Sequence, residues 1–121
     1  MGADLKIRWL EQPEEHDYPA AHAYLSLVLP VSRVSLFVMD LKRAEVGSFA
    51  AKDIFRSSRL ALLDVSNSHV AKDLRKIKKG ERLSPLLLVR HEGRTIIADG
   101  YHRLCAVYSL DEDARIPCKI V

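Results

Sequence analysis

Two cysteines, Cys105 and Cys118, are all that the sequence contains. Neither belongs to a Cys-X-X-Cys pair, and there is no second such pair to complete a zinc site. Each stands in apolar company, in Leu104-Cys105-Ala106 and Ile116-Pro117-Cys118-Lys119-Ile120, which reads as a small core or strand residue. No apolar run reaches the roughly 18 residues needed to span a bilayer. No basic n-region followed by an apolar h-region opens the chain. A soluble, cytoplasmic protein without a membrane partner is therefore expected. Excess charge is also modest, at net +3. That permits a phosphate-bearing partner but does not demand nucleic acid. Much of the excess lies in Arg75-Lys76-Ile77-Lys78-Lys79, with Arg82 close by, and such a run reads as a solvated helix face.

What is present is an ordinary globular balance: 121 residues, 48% hydrophobic and 29% charged. A chain of this size buries about two-thirds of its extended surface and holds a core without disulfides.

Patterning divides the chain near Gly47. Before it, Leu5 to Leu10 reads as a short strand and Glu11 to Asp17 as a polar link. Asp17 is placed to cap a helix with Pro19 in its first turn. Ala20, Ala23, Tyr24, Leu27 and Val28 keep helical spacing up to Pro30. A second helix carries Val31, Val34, Phe37, Val38 and Leu41 on one face and is expected to end at Gly47. Two short amphipathic helices must pack on something. A cover for a sheet is the favoured expectation and a homodimer surface the alternative. Residues 1–46 are thus read as a helical extension and 47–121 as the main domain.

In that domain Ser48 to Phe55 reads as a strand and Arg56-Ser57-Ser58-Arg59 as a polar turn. Ser66 or Asn67 can cap a helix with Val70, Leu74 and Ile77 at i, i+4, i+7, stopping at Gly80. Pro85-Leu86-Leu87-Leu88-Val89 is continuous and apolar, as a strand buried on both faces would be. His91-Glu92-Gly93-Arg94 makes a hairpin turn and Thr95 to Ala98 the returning strand. A helix runs from Gly100 or Tyr101 to Leu110, Asp111-Glu112-Asp113 closes it, and Ile116 to Val121 is the last strand.

The chemistry gathers at Asp99-Gly100-Tyr101-His102-Arg103. The first turn of a helix has free N–H groups and the positive end of the helix dipole. Gly100 lets a bound group approach the backbone. His102 and Arg103 oppose the dipole, so two such residues in a first turn call for a bound anion. Arg103 offers a planar fork for phosphate oxygens, and His102 a second donor or a proton shuttle near neutral pH. Asp99 has three readings: helix cap, ligand to a metal that accompanies a nucleotide, or base.

Ser84-Pro85-Leu86-Leu87-Leu88-Val89, then Thr95-Ile96-Ile97-Ala98-Asp99-Gly100-Tyr101-His102-Arg103, then Ala106 and Ile116-Pro117, together resemble the ParB/sulfiredoxin superfamily over about three-fifths of the chain. The resemblance implies an α+β fold, a small mixed sheet with helices, here preceded by the helical N-terminal extension. It also implies that the Gly-X-His-Arg loop (Gly100, Tyr101, His102, Arg103) holds nucleotide phosphates. Arg56, Ser66, His69 and Lys72 are candidates for further phosphate and ribose contacts.

Tyr101 stands where sulfiredoxins have cysteine, so sulfinic acid reduction is not expected, and Cys105 lies a helical turn away. Partition-type ParB proteins continue into a helix-turn-helix; here the sequence reaches Val121 as the fold closes, and DNA binding by that route is not expected. The loop is also similar to the Asp-Gly-His-His-Arg-like loop of free-serine kinases. The function expected is binding of a nucleotide or other phosphate-bearing ligand, as a phosphotransferase or nucleotide hydrolase using Asp99 and His102 with Mg²⁺ as companion. The alternative is a non-catalytic regulatory or nucleic-acid-associated module. A nuclease is disfavoured, because no carboxylate cluster is visible near the loop beyond Asp99.

Overall fold

A computed structural model describes residues 6–121 of the chain. Leu5, the start of the first expected strand, lies outside them; the described part of that strand is β1, only Arg8–Trp9. Next come α1 (Asp17–Val28), α2 (Val31–Arg43), β2 (Gly47–Ala50), α3 (Ala51–Ser58), α4 (Ser68–Lys78), β3 (Arg82–Leu83), β4 (Leu86–His91), β5 (Arg94–Asp99), α5 (Tyr101–Leu110) and β6 (Arg115–Ile120). The architecture is mixed α+β. A four-stranded sheet has the order β2-β6-β4-β5, and β1 pairs in parallel with β3 in a separate two-stranded ladder. Only the β4–β6 pairing in the larger sheet is parallel.

β4 explains the layering. Successive side chains of a strand point to opposite faces. Leu86 and Leu88 join the core formed with α3, α4 and α5. Leu87 and Val89 join a second core with Tyr18, Ala21 and Leu25 of α1 and Val34, Val38 and Leu41 of α2. The unbroken apolar run is thus a strand covered on both sides. The N-terminal helices cover one face of the sheet and leave their outer side exposed, with Leu27 83% accessible. β6 alternates likewise: Cys118 faces the first core, while Lys119 is buried on the α1 side. There its ammonium donates to the Tyr18 hydroxyl and the Lys42 carbonyl, each at 3.1 Å.

Local chemistry sets several boundaries. Asn67 Oδ1 accepts from the N–H groups of His69 (2.9 Å) and Val70 (3.2 Å), so Asn67 is the cap of α4. The β4–β5 turn places Glu92 and Gly93 at φ +50° and +77°, two successive left-handed residues as a tight hairpin turn requires. β3 escapes sequence reading because two residues show no periodicity.

Four expectations are corrected. Asp17 does not cap α1: the cap position is His16, without a side-chain bond. Asp17 lies in the first turn, where its carboxylate accepts from Glu14 N–H (3.0 Å) and from the Ser84 hydroxyl. The buried stripe of α1 is Tyr18, Ala21 and Leu25, while Ala20, Ala23, Tyr24, Leu27 and Val28 are exposed. The helix is apolar on both sides, so its own pattern does not select the inward face. α2 ends at Arg43, and Gly47 opens β2 instead. Finally, Ser48 to Phe55 is not one strand: β2 stops at Ala50, and Arg56 to Ser58 belong to α3. The helix starts there because distant carbonyls take its first N–H groups, Ala51 bonding Ala114 and Lys52 bonding Glu112, both at 2.9 Å.

Candidate functional site

The β5–α5 corner is built on Gly100. It occupies the cap position of α5 at φ +109°, and the helix has no side-chain cap. A Cβ there would sit 2.7 Å from Leu86 Cγ and 3.0 Å from Arg103 Nη2. The corner is therefore tight as well as left-handed, and the N–H groups of the first turn lack any side-chain acceptor. This corrects the capping role considered for Asp99.

Asp99 instead holds Arg103. Arg103 Nη2 donates to Asp99 Oδ2 at 3.0 Å, with side chains only 18% and 17% exposed. The same nitrogen lies 3.5 Å from the Pro85 carbonyl. Arg103 Nε is shielded and has no hydrogen-bond partner among the described residues. Burial pushes the Asp99 carboxyl above its ordinary range, Arg103 pulls it down, and the neighbouring Asp17 carboxyl pushes it up again. Part of the guanidinium is thus already committed to the corner, and Arg103 is a less open phosphate fork than its position in sequence suggests.

Beside this corner α4 supplies a polar stripe. His69, Lys72, Asp73 and Lys76 follow i, i+3, i+4, i+7 spacing, so they share one helix face. With residues 99–103 they line a small polar cleft of about 160 Å³. The His69 and His102 rings lie 4.8 Å apart, and the Tyr101 ring 5.6 Å from His102. Burial and the adjacent His69 hold the His102 imidazole below its ordinary range, with Arg103 adding to the effect and Asp73 opposing it. Burial raises the Asp73 carboxyl, against the pull of Arg103, Lys76, His102 and Lys72. Chemically, the cleft offers cations, backbone donors at an uncapped helix start and an imidazole whose charged form is disfavoured by its surroundings.

Of the residues singled out from sequence, Asp99, Gly100, Tyr101, His102, Arg103, His69 and Lys72 meet here. Two do not. Arg56 is on α3, pairs with Asp53 at 3.3 Å, and borders a separate hollow with Lys52, Tyr108 and Glu112. Its assumed position followed from reading α3 as a strand end. Ser66 is turned into the loop, where its hydroxyl and N–H both bond Asp64. Asp73, Lys76 and Asp17 were missed. The α4 spacing could have revealed the first two; nothing local connects Asp17 to Asp99.

Tyr101 donates its hydroxyl to the Ala61 carbonyl, tying the loop before α4 to the corner. Cys105 is buried on α5 and burial pushes its thiol up. Cys118, on β6, is pushed up to about 11. Neither thiol lines the cleft. No helix among the described residues is long and apolar enough to cross a membrane. No protein-family model, curated protein or solved structure matches the chain.

Proposed function

We propose that this protein binds a phosphate-bearing ligand in the cleft between α4 and the start of α5, as a ParB/sulfiredoxin-like phosphate loop would. The observation that carries this reading is the convergence of Lys72 and Lys76 with His69 and His102 on an uncapped helix start. Backbone donors and the helix dipole favour an anion there, and α4 adds charge that the loop alone lacks. Nucleotide phosphates fit this chemistry. The residues do not fit a protein-held Mg²⁺: the Asp99 carboxylate is taken by Arg103, and Asp73 stands among cations. His102 is the group in the cleft suited to carry a proton near neutrality, so phosphotransfer or hydrolysis would rest on it, with Asp99 positioning Arg103.

Titration calorimetry with sulfate and inorganic phosphate at low ionic strength tests the reading. Lys72→Ala is expected to weaken sulfate binding about fivefold, and Asp73→Asn to strengthen it by a similar factor, each about 1 kcal/mol for one charge at short range. Absence of saturable binding for both anions would refute it.

The pH dependence follows from His102. A bound anion favours protonated imidazole, so His102, held low in the free protein, takes up a proton on binding. Sulfate affinity should therefore rise as pH falls from about 8 to about 5.5, through the histidine range. Neutralisation of Asp73, whose carboxyl is raised, adds in the same direction at the acid end. Sulfate is the cleaner probe because phosphate esters themselves lose charge near pH 6. A flat profile would exclude His102 from the anion site.

A further inference from the structure

A second hollow opens on the other side of the same corner. It measures about 410 Å³ and lies between α1 and the loop that follows α3. Ala20 and Tyr24 of α1, Leu60, and Ile97 and Ala98 of β5 line it. Tyr24 and Leu60 remain 40% and 38% exposed, so large apolar surface is left uncovered there. The hollow shares residues 99–102 with the cationic cleft. Tyr101 and His102 line both, with their rings 5.6 Å apart, and the His69 ring lies 4.8 Å from His102 on the cleft side.

We propose that the two hollows form one site for a phosphate monoester with a flat apolar body: the phosphate lies against α4 and the start of α5, and the body lies between Tyr24, Leu60 and Tyr101. This rests on the phosphate reading of the cleft and adds the class of ligand. The division of chemistry supports it. The polar cleft is of a size for one anion, whereas the apolar hollow falls within the usual range for small-molecule pockets. Charge complementarity fixes which end of the ligand goes where. α1 thereby gains a role besides covering the sheet: the stripe left out of the core supplies Tyr24 and Ala20 to the ligand.

Phenyl phosphate, glycerol 3-phosphate and inorganic phosphate separate the possibilities by calorimetry on the full chain. Phenyl phosphate is expected to bind at least about tenfold more tightly than inorganic phosphate, about 1.4 kcal/mol, and glycerol 3-phosphate about as weakly as phosphate. Ala20→Phe, which fills the hollow from the exposed side of α1, should remove the phenyl advantage and leave phosphate affinity unchanged. Tyr24→Ala should reduce the advantage severalfold and serves if the filled variant melts early. Amide shifts at Tyr24 and Leu60 with phenyl phosphate, absent with phosphate, are the expected NMR signature. If phosphate binds but the phenyl ester binds no tighter, the apolar half is wrong and the anion site stands. If neither binds, both fall.

Discussion

Gly100→Ala should lower the melting temperature by roughly 10 °C, the equivalent of about 3 kcal/mol for a domain of this size. Two independent costs add. A non-glycine residue at φ +109° is strained, which costs about 1–3 kcal/mol. The new methyl would also sit 2.7 Å from Leu86 Cγ. Leu86 is fully buried in the core beneath the corner, so it has no free space to move into, and overpacking costs about 1–3 kcal/mol more. The added Cβ also lies 3.0 Å from Arg103 Nη2, the atom that holds Asp99, so relief in that direction breaks the ion pair. Sulfate binding should be lost together with stability. Calorimetric melting is the measurement, and a change within about 0.5 kcal/mol, typical of a surface site, would show that the corner is far more pliable than its geometry implies.

Arg103→Ala should cost about 2 kcal/mol near pH 7.5, below the roughly 3–5 kcal/mol for stranding one member of a fully buried ion pair, because this pair is partly buried. Here the stranded group is Asp99, with Asp17 beside it. The sign of the pH dependence is fixed by that pairing. Burial and Asp17 already raise the Asp99 carboxyl, and Arg103 is what opposes them. Without the arginine the folded state takes up a proton at a still higher pH. The destabilisation relative to the parent is therefore largest above the raised Asp99 range and shrinks as pH falls through it. Asp99→Asn in the same chain should recover most of the lost stability, because no carboxylate is then left to neutralise. Urea unfolding of the single and double variants at about pH 7.5 and pH 5 decides the matter. A loss equal at both pH values, and not relieved by Asp99→Asn, would mean that Arg103 stabilises by packing alone.

Much of the second half of the chain was legible because its signals are local. Val70, Leu74 and Ile77 mark a helix face, Asn67 supplies its cap, Glu92-Gly93 can form the tight turn, and Leu86 to Val89 is apolar enough for burial on both faces. The misread pieces lack such signals. α3 has no side-chain cap and borrows the carbonyls of Glu112 and Ala114, which no short window of sequence contains. α1 is apolar on two sides, so its inward face was decided by the sheet beneath it and by the bond between Ser84 and Asp17.

The candidate site divides in the same way. Residues 99–103 are contiguous, and a glycine followed by His102 and Arg103 at a strand-to-helix junction carries its meaning in the sequence. The sequence by itself therefore determined the strand, the corner and the residues at the start of α5. Tertiary structure alone decided that Arg103 is half committed to Asp99, that Asp17 comes to stand beside that pair, and that Lys76 and Asp73 face the corner while Arg56 and Ser66 do not. The physical reason is range. Backbone conformation and capping act over a few residues, whereas charge and burial act through space on whichever residues packing brings together.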